Sequence, residues 1–337
     1  MVNFLVTGAA GFIGSALIRA LFEKEEDINI VGIDNINDYY NPQLKRDRLD
    51  ALKHYSRFSF KKIDLSCKNK VLHLFKRHKF DIVINLAAQA GVRYSINHPD
   101  EYIKSNIIGF FNVLEACRYY PVNHLIYASS SSVYGLNKKI PYSTNDKTDN
   151  PVSLYAATKK SNELLAYAYS KLYGFPTTGL RFFTVYGPMG RPDMAYFKFT
   201  DKIAKGEKIQ LFNNGDMYRD FTYIDDIVNG IAKVIKRLPP PDENGIRYKI
   251  YNIGNNSPVT LRYFVDTLTE CLAKADLLQG EIKIEYLPMQ PGDVYQTYAD
   301  VDDLINDFDW KPSTSLKDGL TKFVEWYKKY YFMRKKI

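Results

Sequence analysis

The 337 residues hold little that would tie the chain to a membrane, a disulfide scaffold or a repeat. No apolar run approaches the ~18 residues that a membrane span requires. The start, MVNFLVTGAAGFIG, has no basic region ahead of an apolar stretch, so neither a span nor a signal peptide is expected. Cysteine is scarce. Cys67, Cys117 and Cys271 are odd in number and far apart, which excludes a disulfide framework and a metal-site spacing. A reduced, cytoplasmic protein without a bound metal is the resulting expectation. Repeats and low-complexity tracts are missing. The excess of one charge sign is also modest: 46 Lys and Arg stand against 38 Asp and Glu, a net +8. The basic residues are scattered, with one cluster at the tail (Lys328, Lys329, Arg334, Lys335, Lys336) that reads as a solvated helix end. No nucleic-acid or membrane partner is expected. A basic balance instead suits a small polyanionic substrate.

What is present is a core-forming chain, 45% hydrophobic, long enough for one large or two closely joined domains. Residues 3–7, 28–33, 58–62, 81–86, 124–128 and 177–181 read as buried strands. Residues 12–23, 68–79, 100–119 and 155–173 read as helices between them. Strand alternating with helix predicts an α/β fold with a doubly wound parallel sheet. After Arg181 the pattern turns irregular, with turns at Asn213-Asn214-Gly215 and Pro239-Pro240-Pro241. Residues 1–182 are therefore expected to form a nucleotide-binding domain and 183–337 a smaller C-terminal substrate-binding domain, with a helix at about 224–238 packing back on the first.

The first strand runs into Thr7-Gly8-Ala9-Ala10-Gly11-Phe12-Ile13-Gly14 and then a helix. Glycines there permit a tight turn and close approach of a pyrophosphate, and the helix N-terminus offers free N–H groups to phosphate. The second strand ends at Asp34, twenty residues after Gly14, where a carboxylate accepts ribose hydroxyls and repels a 2′-phosphate. This Rossmann-like arrangement favours NAD over NADP. Asp64, after the third strand, is placed to meet the adenine edge. Leu86, Ala87 and Ala88, after the fourth, let a cofactor lie close to the backbone.

Tyr155 and Lys159 stand four residues apart, on one face of a helix. A tyrosinate can take the proton of a carbinol as its hydride leaves, but free tyrosine titrates near ~10. A nearby ammonium and a positive nicotinamide favour the charged form. A run of four serines, Ser129 to Ser132, directly follows the fifth strand, where hydroxyls can hold a reacting oxygen.

The glycine triplet, the Ala87-Ala88 strand end, the serine run and the Tyr155/Lys159 pair resemble the extended short-chain dehydrogenase/reductase family of nucleotide-sugar enzymes, over nearly the whole chain. The resemblance implies Ser130 as the third catalytic residue, with Ser131 and Ser132 left open, and Asn106 near the cofactor. The segment after the catalytic hydroxyl, Ser131-Ser132-Val133, lacks the acid typical of the family's dehydratases and decarboxylases, which implies epimerisation. Arg219 matches the family's diphosphate-pairing arginine and Asp293 its uridine-ribose residue, while Gln290 stands where many relatives have arginine. Residues 32–40, 181–194 and 289–294 resemble the UDP-glucuronate 4-epimerases. That implies interconversion of UDP-glucuronate and UDP-galacturonate, for polysaccharide synthesis, by a homodimer, with Thr184 and Arg191 on the C6 carboxylate. The competing expectations are an epimerase of a neutral UDP-sugar, a nucleotide-sugar dehydratase or decarboxylase, and a non-catalytic NAD-binding sensor.

Overall fold

A computed structural model describes residues 1–289 and 294–333. In the first half the strands are β1 (Val2–Thr7), β2 (Ile28–Asp34), β3 (Phe58–Lys62), β4 (Ile82–Asn85), β5 (His124–Ser130) and β6 (Thr177–Phe182). The helices are α1 (Phe12–Lys24), α2 (Gln43–Asp50), α3 (Lys68–His78), α4 (Tyr94–Asn97), α5 (Pro99–Tyr102), α6 (Gly109–Tyr119) and α7 (Leu154–Tyr173). The second half contributes β7 (Thr184–Tyr186), β8 (Ile209–Phe212), β9 (Tyr218–Arg219), β10 (Phe221–Tyr223), β11 (Tyr248–Ile253), β12 (Val259–Thr260) and β13 (Ile284–Leu287). Its helices are α8 (Ala195–Ala204), α9 (Ile224–Ile235), α10 (Leu261–Lys274), α11 (Asp302–Phe308) and α12 (Leu316–Lys328).

Seven parallel strands form the central sheet in the order β11-β6-β5-β4-β1-β2-β3. Successive strand residues alternate between its faces, so the near-continuous apolar runs feed two cores. Leu5, Val31, Val83 and Leu125 face the side covered by α3 and α6. Phe4, Ile30, Ile84 and Ile126 face the side where α1 packs with α9. The strand order reverses at β1 and β4, which leaves a crevice at their carboxyl ends. Smaller sheets pair β7 with β10, β9 with β12 and β8 with β13, and lie beyond that edge.

Three features differ from the sequence expectation. The helix expected over 100–119 is interrupted by a π-helical turn, Ile103–Ile108. Helix α2 was not anticipated, because its eight residues QLKRDRLD carry only Leu44 and Leu49 as apolar positions and show no helical stripe. The seventh strand of the main sheet, β11, comes from residues well past 182 and pairs with β6.

Candidate active site

One cavity of about 930 Å³ opens along the carboxyl edge of the sheet and continues between the two halves. At one end β1 passes through Gly8, whose φ of +71° suits glycine, into the turn ahead of α1. A side chain at Gly8 would put its Cβ 2.8 Å from the Ala87 nitrogen, and one at Gly14 would put it 2.2 Å from the Gly8 carbonyl oxygen. Glycine is therefore required both by the turn and by the close approach of β4's end. Among the described residues no side chain caps α1, so its first N–H groups stay open to an anion, and Phe12 and Ile13 line the same wall. Thr7 Oγ1 donates to Asn85 Oδ1 at 2.8 Å and accepts from the Ala87 N–H at 3.0 Å, fixing the Leu86-Ala87-Ala88 segment against the turn. This cradle fits a dinucleotide.

Asp34 ends β2 on the cavity wall and accepts N–H groups of Ala10 (3.2 Å) and Ile36 (2.8 Å). Burial pushes its carboxyl above the ordinary value, against those hydrogen bonds and the charges of Lys45 and Arg48. Asp64 accepts from Ser66 and Asn35 and also lines the cavity. Asn106 stands behind the segment that follows β4. It sits in the π-helical turn, 1% exposed, off the cavity wall. Its amide bonds Gln89 N–H (2.8 Å), Gln89 carbonyl (3.0 Å) and Thr158 Oγ1 (3.0 Å). It braces the segment after β4, and its neighbour Ser105 is the one that reaches the cavity.

The catalytic candidates meet in the middle of the cavity. Ser153 caps α7 by accepting the Ala156 N–H at 3.1 Å, which sets Tyr155 in the first turn and Lys159 one turn on. Ser130, the last residue of β5, caps the short turn that carries Ser131 and Ser132 by accepting the Ser132 N–H at 3.2 Å, and it lines the cavity together with Tyr155. Ser131 and Ser132 line the cavity too. Burial raises the Tyr155 hydroxyl above its ordinary value, and the nearby Ser130 hydroxyl and the Arg191 charge oppose it. The Lys159 ammonium donates to the Ala128 carbonyl at 2.8 Å; burial pushes it down to about 8, against the Glu163 carboxylate. Below it lies a closed ion pair. Arg181 donates twice to Glu163, at 2.8 and 2.9 Å, and Ser129 Oγ adds a third hydrogen bond at 2.6 Å. Ser129 thus serves this buried pair.

Thr184 and Arg191 line the next stretch of wall. Gly187, at φ +143°, and Gly190 let the loop between them turn. Arg48 holds that loop by donating to the carbonyls of Met189 and Gly190 and, on its other side, to that of Ala10. The wall also carries Arg219, anchored on the carbonyls of Tyr218, Val294 and Tyr295, and Arg93, Lys198 and Lys202. Arg93 stacks on Phe212 at 4.4 Å. Four cations on the wall of one cavity suit a diphosphate. Asp293 lies outside the described residues. Sequence reading missed Arg48, Arg93, Lys198, Lys202 and Asp193. Only Lys198 and Lys202 left a signal, being four apart on one face of α8.

Residues 4–254 match the NAD dependent epimerase/dehydratase family. The chain is 51% identical to Protein CapI of Staphylococcus aureus, over 98% of this chain and 99% of that one. It is 45% identical to UDP-glucuronate 4-epimerase 1 of Arabidopsis thaliana, over 98% of this chain and 77% of the relative. Its fold is similar to the crystal structure of UDP-glucuronic acid 4-epimerase from Bacillus cereus in complex with UDP-glucuronic acid and NAD. There the TM-score is 0.89 and the identity 33%, covering 98% of this chain and all of that one.

Proposed function

The chain belongs to the NAD dependent epimerase/dehydratase family, and on that premise we propose that it interconverts UDP-glucuronate and UDP-galacturonate by inverting C4. The observation that carries this reading is a single cavity whose wall holds Tyr155, Ser130 and Arg191. The Gly8–Gly14 turn, the α1 N-terminus and Asp34 would hold NAD, which when bound would supply the hydride acceptor for C4. Tyr155 takes the proton of the 4-hydroxyl and gives it back after the 4-keto sugar has turned its other face. Ser130 holds the same oxygen, and Ser131 and Ser132 stand beside it on the wall. Lys159 keeps a cation at the strand end beneath Tyr155. Arg219, Arg93, Lys198 and Lys202 anchor the diphosphate while the hexose turns. Thr184 and Arg191 take the C6 carboxylate, whose burial is very costly without a partner. A neutral UDP-sugar would need no cation there, so Arg191 favours the acid sugar.

The working division is by ligand, with residues 1–182 holding NAD and 183–337 mainly the UDP-sugar, in a cytoplasmic enzyme. A homodimer is proposed on the exposed apolar residues Ile103 and Ile108 beside Leu164 and Leu172 of α7. Leu164→Glu with Leu172→Glu should then elute as a monomer. The decisive experiment incubates the purified protein with UDP-glucuronate, UDP-glucose and UDP-N-acetylglucosamine and follows the anomeric proton signals. New signals are expected from UDP-glucuronate. Faster conversion of a neutral sugar would overturn the reading.

A further inference from the structure

The wall that faces the sugar contains a carboxylate of its own. Arg191 donates to Asp193 through Nε (to Oδ1, 3.0 Å) and Nη2 (to Oδ2, 2.5 Å), and Tyr39 OH donates to the same Oδ2 at 3.1 Å. The arginine offers five N–H groups, and this pairing uses two. Its Nη1 edge makes no hydrogen bond among the described residues, and both side chains, 26% and 21% exposed, line the cavity. The pair lines the same cavity as Tyr155. Its backbone is fixed. Arg48 holds Met189 and Gly190, Tyr196 OH accepts the Arg191 N–H at 3.1 Å, and a side chain at Gly190 would collide with that same hydroxyl.

We propose that Asp193 is a specificity-determining residue that balances the charge of Arg191, so that the arginine recognises the sugar carboxylate without locking it. The proposal rests on the reading that the C6 carboxylate meets Arg191. Arginine and carboxylate form a strong two-pronged pair when the arginine is unshared. An epimerase cannot use that full strength, because the hexose must leave its first position and present its other face before the hydride returns. With Asp193 in place an incoming carboxylate meets a pair of zero net charge, and only the remaining N–H groups discriminate it from a hydroxymethyl group. The Asp193 carboxyl is suited to this. Burial opposes its ionisation, but the Arg191 charge and the hydrogen bonds from Arg191 and Tyr39 win and hold it below its ordinary value. The contrast with Arg181 and Glu163 is instructive, since that pair is enclosed on every side and has nothing left to offer a ligand.

The test compares wild type with Asp193→Asn, which keeps the shape and removes the charge. Dissociation constants are measured by calorimetry for UDP, UDP-glucose and UDP-glucuronate, alongside kcat and KM. Removing one charge beside a partly buried ionic contact should tighten UDP-glucuronate by about fivefold to tenfold. UDP and UDP-glucose should stay within about twofold, and kcat should fall by at least about fivefold as the sugar is held in one pose. Weaker UDP-glucuronate binding by Asp193→Asn would overturn the proposal and make Asp193 an orienting group, and unchanged binding would overturn it as well. The wild type alone supplies a second check that needs no folded variant. Its preference for UDP-glucuronate over UDP-glucose in binding should be less than about thirtyfold, and a larger preference would mean that Arg191 acts as an unbalanced cation. Failure of the functional reading is distinguishable, because then the wild type converts no UDP-glucuronate.

Discussion

The two halves of the cavity wall are built of different chemistry. From β1 to β4 the wall is mostly backbone brought close by small residues, with Gly8, Gly11 and Gly14 on one side and Ala87 and Ala88 on the other. From β7 onward it is long side chains, Arg191, Lys198, Lys202 and Arg219, carried on short strands, loops and α8. A backbone wall fails abruptly, since one added carbon has nowhere to go. A side-chain wall fails gradually, since each cation carries a share of the charge.

Gly14→Val is the sharpest way to test that difference. Its first added atom would stand 2.2 Å from a carbonyl oxygen of the same turn, which cannot yield as a side-chain tip could. The variant is expected to carry no NAD after purification and to have no measurable turnover, whereas Arg219→Ala should keep its NAD and only weaken UDP binding. A Gly14→Val protein that releases NAD on denaturation would break the comparison. Next in size is Tyr155→Phe, at the junction of the halves. It keeps the ring and loses the proton acceptor, so turnover should fall by ~10²–10⁴ while calorimetric UDP binding is unchanged.

The same contrast decides what could be read from the residues alone. The glycine turn and the Tyr155/Lys159 pair are local patterns, and Asp34 follows at a short fixed distance, so their spacing exposed them. The Ser129-to-Ser132 run was equally visible, but the division of labour inside it was not. Ser129 is spent on Glu163, and Ser130 joins Tyr155 on the cavity wall because the strand ends there and the chain bends into a tight turn. Arg48 was invisible because its partners, Ala10 and Gly190, lie 38 and 142 positions away, and it sits on a helix with no apolar stripe. Asn106 was recognised by its type and neighbours, yet its task depends on Gln89 and Thr158, which only the fold brings to it.

Two arginines sharpen the comparison at the level of single ion pairs. Arg181 and its partner Glu163 are 3% and 2% exposed, so Arg181→Met leaves a buried carboxylate with most of its compensation gone. A loss of roughly 3–5 kcal/mol is expected in urea or thermal unfolding. Arg191→Ala opens a pair that already faces the cavity, and its stability cost should stay near ~1 kcal/mol. Its effect should appear in UDP-glucuronate binding, with UDP binding nearly unchanged. Equal stability losses for the two variants would erase the distinction between a closed pair and an open one.

The most gradual expected effect is a pH dependence carried by Lys159, where the backbone wall meets α7. Burial pushes its ammonium from 10.5 down to about 8, with Glu163 opposing. A lysine depressed on folding binds fewer protons in the folded chain than in the unfolded one between those two values. Raising the pH through that window therefore favours folding. The cost of burying the charge is fully present below pH ~8 and gone above ~10.5, an upper limit of ~3 kcal/mol at ~1.36 kcal/mol per unit. Buried tyrosines act in the opposite sense at higher pH. Tyr127, Tyr155 and Tyr186 are raised by burial, so above pH ~10 the unfolded chain ionises first and gains. The useful range is thus about pH 7.5 to 9.5. Urea unfolding of wild type and Lys159→Met across that range separates the contributions, because the methionine variant keeps the tyrosines and loses the titrating group. The stability of wild type relative to the variant should climb with pH. A flat difference would mean that the ammonium keeps an ordinary pKa, and that the Ala128 carbonyl and Glu163 together offset its burial in full.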